Sequence, residues 1–201
     1  MELIIICILG YLIGAIPFAY VVGKVFFHTD VRQHGSGNLG GSNTGRVLGK
    51  KAGVAVMTLD LLKVTFVVFL ARMISGHSWA VACGSISAAI GHCYPAFVRF
   101  RGGKAVAALY GLFFGLWVIV GYPAWTFFLP LVTFLTVLYL FKIVSLSSML
   151  SATVGLIYLC CIQAHKSILV AVLLFVLLII MRHWPNIRHM VNGTENKIRW
   201  M

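Results

Sequence analysis

The chain has 201 residues, of which 61% are apolar and only 10% charged, and its mean hydropathy is +0.99. Sixteen Lys and Arg against four acids give a formal charge of +12. Soluble domains run about 45–50% apolar and roughly 25% charged, so a disordered chain, a fibre and an ordinary cytosolic enzyme are excluded and a bilayer is required.

In chain order, the first apolar run is residues 3–27. It lacks a basic leader, carries Glu2 and is too long for a signal-peptide core, which predicts a retained first helix. Gly10 and Gly14 in it have the GxxxG spacing that lets another helix approach closely. A polar loop, 28–51, follows. Further apolar runs cover 52–74, 80–98, 105–122, 124–141, 147–163 and 167–181, and a polar tail covers 182–201. At about 20 residues per span, this predicts an all-α polytopic membrane protein of about seven transmembrane helices, one domain over 1–201. The fourth and fifth runs are divided only by Gly121, Tyr122 and Pro123.

The basic residues orient this arrangement. With seven spans, thirteen of the sixteen fall on one side, in the first loop, beside Lys104, at Lys142 and in the tail with Arg182, Arg188, Lys197 and Arg199. Only Arg72 and Lys166 fall on the other, and Lys63 lies within a span. The positive-inside rule then places the N-terminus outside and the C-terminus in the cytoplasm. The cytoplasmic segments 28–51, 91–104 and 182–197 are rich in Gly, Asn, Ser and His, so the functional surface is expected there. Nucleic acid is not expected as a partner, because no soluble domain carries a basic face.

The first segment contains Gly35 to Gly40 in the literal pattern GxGxxG, but a membrane helix precedes it and no βαβ unit surrounds it, so a dinucleotide site is rejected. What remains is a glycine-rich backbone suited to an anion, with donors at Ser36, Asn38, Asn43 and Arg46. The second segment ends Gly102-Gly103-Lys104 before a predicted helix from Ala105. Backbone amides at a helix start and a lysine there make an anion site. His92 is open to a structural or a catalytic reading. In the tail, Glu195 stands among cations as an anchor for Arg or Lys. Asp60 and Lys63 lie at i, i+3 within a span, as a buried ion pair or as a proton relay. The five cysteines, Cys7, Cys83, Cys93, Cys160 and Cys161, fall in apolar stretches and imply neither disulfides nor metal. No metal and no cofactor are expected.

Taken together, the segments resemble the acyl-phosphate-dependent glycerol-3-phosphate acyltransferases of bacterial membranes. The resemblance rests on Arg32-x-x-Gly35-Ser36-Gly37-Asn38-x-Gly40-x-x-Asn43-x-x-Arg46, Leu48-Gly49-Lys50-Lys51, Asp60-x-x-Lys63 and Gly91-His92-x-x-Pro95. It continues in Phe100-x-Gly102-Gly103-Lys104, Arg182-His183-x-x-Asn186-Ile187 and Gly193-x-Glu195. Two departures stand out: Gly41-Ser42 replaces the family's Ala-Thr, and Ala105 stands where the family usually has glycine.

The resemblance implies transfer of a fatty acyl group from acyl phosphate to the 1-hydroxyl of glycerol 3-phosphate. The products are lysophosphatidic acid and phosphate, the entry step of phospholipid synthesis, at the cytoplasmic face of a bacterial inner membrane. It implies that Ser36, Lys104, His183 and Asn186 hold the acyl phosphate. Arg46, Asn43 and the Gly102-Gly103 backbone hold glycerol phosphate, and Glu195 clamps the tail over the site. Ser145 and Ser147 add donors. Membrane lipid and an upstream acyl-phosphate-forming enzyme are the implied partners. The proton of the alcohol passes to a substrate phosphate or to His92. The alternative reading is a small-anion transporter built on Asp60 and Lys63.

Overall fold

The structure, a computed structural model, describes residues 1–198, so Arg199 lies outside the described residues. Ten α-helices and no strand occur among the described residues. They are α1 (Glu2–Gly14), α2 (Phe18–Phe27), α3 (Gly41–Leu48), α4 (Lys50–Ile74), α5 (Ser78–Cys93), α6 (Val106–Gly115), α7 (Trp125–Phe141), α8 (Val144–Cys161), α9 (Lys166–Arg182) and α10 (Trp184–Val191). A π-helical turn, Leu116–Val120, prolongs α6.

Every predicted apolar run is helical. By length and composition, four stretches are able to cross a membrane: Glu2–Phe27, Lys50–Ile74, Ser78–Val98 and Val144–Cys161. The pair Lys166–Arg182 and Trp184–Val191, bent by 57°, makes a fifth. Val106–Val120 and Trp125–Phe141 are apolar but shorter, cut where Gly121 takes a left-handed φ of 94° ahead of Pro123.

Two expectations are corrected. The first run is two helices, not one. Pro17 disfavours helical backbone at the residue before it, and the chain breaks between Gly14 and Phe18. The polar loop 28–51 is partly folded, with a 3-10 turn at Val31–Gln33 and α3 behind it. Its glycines, expected as a backbone suited to an anion, also let α3 lie directly on α4: a methyl at Gly53 would overlap Gly45 and the Gly41 carbonyl.

α6 is the core. Its Leu109, Leu112 and Phe113 are fully buried, as is Leu116 in the turn that prolongs it, between α4 and α5 on one side and α7, α8 and α9 on the other. Outward positions such as Ile4, Phe66, Leu135, Tyr139 and Leu177 are exposed, as expected where lipid is the solvent. α1 packs chiefly on α5. There the GxxxG pair acts as predicted, because Gly10 rests on Gly84 and Gly14 on the backbone of Ala88.

The polar segments converge at one end of the bundle. The Ile198 amide donates to the Lys142 carbonyl at 2.8 Å, and further contacts between these segments are described below. At the other end the His165 amide donates to the Tyr122 hydroxyl at 3.1 Å. Open depressions of about 670 and 320 Å³ lie there, beside His77 and Gln163.

Gly14→Leu tests the packing of α1 on α5. Overpacking of this kind costs about 1–3 kcal/mol. The thermal midpoint in detergent should fall by several degrees, while Leu12→Ala, on the exposed side of α1, leaves it nearly unchanged.

Candidate active site

The end of α5 builds the floor of the site. The last carbonyls of a helix have no partner within it. Here the chain turns back through the 3-10 turn Ala96–Val98 and through Arg99 and Phe100, both at left-handed φ of 60° and 59°. The Gly102 amide then donates to the Cys93 carbonyl at 3.1 Å, and the Gly103 amide to the His92 carbonyl at 2.9 Å. Both glycines are imposed by close approach. A methyl at Gly103 would overlap the His92 ring, and one at Gly102 the His92 carbonyl and Pro95.

The other side of this strand is held by Arg182. Its guanidinium donates from Nη2 to the Gly102 carbonyl at 3.2 Å and from Nε to the Gly103 carbonyl at 3.1 Å. It also lies 5.2 Å from the centre of the Tyr94 ring. Hence the Gly102 and Gly103 amides are committed to α5, and the expectation that they bind an anion is corrected. The helix behind them also starts later than expected, at Val106, with Ala105 as its left-handed cap at φ 61°.

Lys104 leaves this clamped strand at the partly positive N-terminus of α6. Its Nζ donates to Asn186 Oδ1 at 2.5 Å. Asn186 Nδ2 donates to Glu195 Oε1 at 2.7 Å. The same oxygen accepts from Ser145 Oγ at 2.6 Å. Three parts of the chain are thus chained together: Lys104 before α6, Asn186 on α10, and Glu195 in the tail over the start of α8. Burial pushes the Lys104 ammonium below the ordinary lysine range. Glu195 opposes that shift, and Arg182 and Arg46 add to it. Two cations and one carboxylate thus bear on the Lys104 charge. His183 is buried, and its Nδ1 lies 2.8 Å from the Ile179 carbonyl. A carbonyl only accepts, so Nδ1 carries the proton.

The first segment is braced from within. Asp30 receives Nε and Nη2 of Arg32, the latter at 2.7 Å, and the guanidinium stacks 4.6 Å from the Tyr20 ring centre. These bonds hold the Asp30 carboxyl below the usual carboxylate range, against the effect of burial. The brace is complete at neutral pH and is lost as pH falls through that lowered value. Asn43 is buried, with Nδ2 donating to the carbonyls of Val31 and His34 and Oδ1 accepting the Ser36 amide. Its polar atoms shape the loop, which corrects its expected place as a direct ligand. Ser36 and Arg46 are exposed, and Asn38 is half-buried. Ser147 donates to the Ile143 carbonyl of its own helix and is not a free donor.

Asp60 and Lys63 form the expected buried pair, at 2.7 Å. The sequence did not show its other partners. Lys63 also donates to the Ile16 carbonyl at 2.9 Å, in the break of the first run. His92 Nδ1 stands 3.5 Å from Asp60 Oδ1.

A lysine on a clamped Gly-Gly-Lys segment, in a helical bundle faced with apolar side chains, has counterparts. The sequence profile described as glycerol-3-phosphate acyltransferase matches residues 4–193. The chain belongs to the glycerol-3-phosphate acyltransferase family. The Geobacillus kaustophilus glycerol-3-phosphate acyltransferase is 43% identical over 98% of this chain and 96% of its own. Glycerol-3-phosphate acyltransferase 2 of Bacillus anthracis is 44% identical over 97% of this chain and 98% of its own. Among solved structures, the glycerol 3-phosphate form of PlsY, an integral membrane glycerol 3-phosphate acyltransferase, superposes with a TM-score of 0.91. It shares 30% identity, over 99% of this chain and 96% of its own. Its lysophosphatidic acid form superposes at 0.89.

Ala105 sits at a costly backbone position. The left-handed backbone there is the conformation that glycine adopts without cost, and this acyltransferase holds it with an alanine whose methyl is fully buried. Arg182 was legible only as part of the tail motif. That it clamps two glycine carbonyls follows from the fold alone. Gly103→Ala should push the His92 ring aside and shift Lys104. Since misplacement by an ångström costs on the order of 10²-fold, turnover should fall by at least tenfold in a protein that still purifies as a folded monodisperse species.

Proposed function

We propose that this chain transfers a fatty acyl group from acyl phosphate to the 1-hydroxyl of glycerol 3-phosphate, releasing lysophosphatidic acid and inorganic phosphate. The observation that carries this reading is Lys104 at the start of α6, joined through Asn186 to Glu195 and set next to a Gly102-Gly103 segment that Arg182 holds by its carbonyls. Both substrates bring phosphate to such a place, and the apolar bundle suits an acyl tail. The names of the relatives and the two forms of PlsY supply the acceptor and the product.

The chemistry needs little beyond placement. An acyl phosphate is a mixed anhydride with its leaving group attached. The glycerol hydroxyl oxygen attacks the acyl carbon, the bond from that carbon to the phosphate oxygen breaks, and the hydroxyl proton goes to a phosphate oxygen. Charge gathers on the departing phosphate. The Lys104 ammonium neutralises it, supported by the start of α6. Ser36 and Asn38 serve as further donors, and His183 and Asn186 act from the Lys104 side. Arg46 takes the second phosphate, Asn43 and the two glycines hold the loops in place, and Ser145 with Glu195 ties the tail down. His92 is 6% exposed, packed behind Gly103 and turned toward Asp60. That favours substrate phosphate over His92 as the proton acceptor. A transporter reading is less well supported, since Asp60 and Lys63 are engaged with each other, Ile16 and His92.

The same reading makes residues 1–201 one domain that crosses a bacterial inner membrane seven times, with the site facing the cytoplasm and an acyl-phosphate-forming enzyme supplying the donor. Gln33→Cys, in a chain whose own cysteines are replaced, should label with an impermeant thiol reagent only in inverted vesicles. Labelling in intact cells would reverse the orientation.

For the activity, purified protein in detergent should make lysophosphatidate from acyl phosphate and not from acyl-CoA. Lys104→Met should lose roughly 10²–10³ in turnover, and Lys104→Arg should recover only part of it, because a planar fork does not replace a compact ammonium. The depressed lysine also fixes a pH sign. Activity carried by the ammonium is lost as pH rises through its folded value, so the alkaline limb of kcat/KM should lie below the ordinary lysine value of about 10.4. In Lys104→Arg that limb should be absent.

A further inference from the structure

We propose that Asp60 is a positioning residue for the acyl-transfer site: through His92 it fixes the Gly102-Gly103 strand and hence the place of Lys104. The inference rests on the acyl-transfer reading above and assigns a task to a buried group which that reading leaves unused.

Asp60 and Lys63 are 2% and 5% exposed, deep in an apolar bundle. Their mutual contact at 2.7 Å would suffice to neutralise the pair. Yet the oxygen that receives Lys63 also faces His92 Nδ1, at 3.5 Å. This third group is the one that touches the site. The opposite edge of the His92 ring, with Nε2 and Cε1, lies where a Gly103 side chain would be, and the His92 carbonyl accepts the Gly103 amide. His92 therefore holds Gly103 with its ring and its backbone at once. On the far side of the ring Nδ1 stands 3.5 Å from Asp60 Oδ1, in reach of that carboxylate's charge. A carboxylate only accepts when ionised, so it favours the Nδ1–H form of the ring and one orientation about the Cβ–Cγ bond.

Lys63 completes the support. Its ammonium also bonds the Ile16 carbonyl and lies 5.6 Å from the Phe18 ring centre. Asp60 is thus pinned to the break of the first run, and the His92 ring has a fixed wall behind it. Lys104, adjacent to Gly103, inherits that fixity. With a neutral amide at position 60, the ring is free to turn, Gly103 loses its wall, and the ammonium drifts from the phosphate.

The test compares initial rates of purified protein, with a long-chain acyl phosphate and glycerol 3-phosphate, for wild type, Asp60→Asn, His92→Gln and their double variant. Asp60→Asn is expected to lower kcat by roughly tenfold or more, with KM for glycerol 3-phosphate within about twofold. The double variant should lose no more than the worse single one, since both act along one path. Asp60→Asn alone strands Lys63, so Asp60→Asn/Lys63→Met removes both charges together. It should still purify as a folded species, its thermal midpoint lowered by the unpaired Ile16 carbonyl, while kcat stays low. Wild-type kcat in that variant, or losses that multiply between positions 60 and 92, would overturn the proposal and leave Asp60 as half of an ion pair. If wild type uses acyl-CoA and not acyl phosphate, the donor reading fails by itself, and the same comparison is decided with acyl-CoA.

Discussion

Two backbone hydrogen bonds, from the amides of Gly102 and Gly103 to the carbonyls of Cys93 and His92, hold the rest of the site in order. They answer two needs together. α5 ends where water is scarce, so its last carbonyls require protein donors. The strand that carries Lys104 requires a rigid base, since a flexible lysine loses much of its force to motion. With Arg182 on the opposite carbonyls, this short strand is paired on both edges, as though it were the central strand of a sheet.

The electrostatics follow from this rigidity. Cations that repel one another do not gather unless the chain forces them to. Lys104 is placed by the Gly102-Gly103 segment before it, and Arg182 by the glycine carbonyls. Glu195 relieves part of the repulsion without cancelling it, since its carboxylate is shared with Ser145 and Asn186. A phosphate group placed beside them would relieve the rest.

Much of this was legible in the chain. The apolar runs, the convergence of three polar segments and the pairing of Asp60 with Lys63 each follow from composition or spacing. The break at Pro17 was visible as a residue type but was outweighed by continuous hydrophobicity. α3 was hidden because Gly41, Gly45 and Gly49 signal a connector, and only the matching Gly53 on α4 shows why glycine is wanted. The role of Gly102 and Gly103 was misjudged for a similar reason. Glycine before a lysine suggests amides open to an anion, and sequence carries no record of the α5 carbonyls that occupy them. Nor does spacing show that His92, some thirty residues from Asp60, completes the buried pair.

The Ile16 carbonyl and the Lys63 ammonium are conditional on each other. The carbonyl is freed by the break in the first run, and inside a bilayer a freed carbonyl must find a donor. The ammonium, for its part, has more protons to place than one carboxylate accepts. A sequence that straightened the first helix would take away one of the lysine's acceptors, and one that lost the lysine would leave the broken helix unanswered. Substitutions at these two places are therefore non-additive. In a drifting lineage, each would be tolerated only in the company of the other, although they lie far apart in the chain and neither touches a substrate.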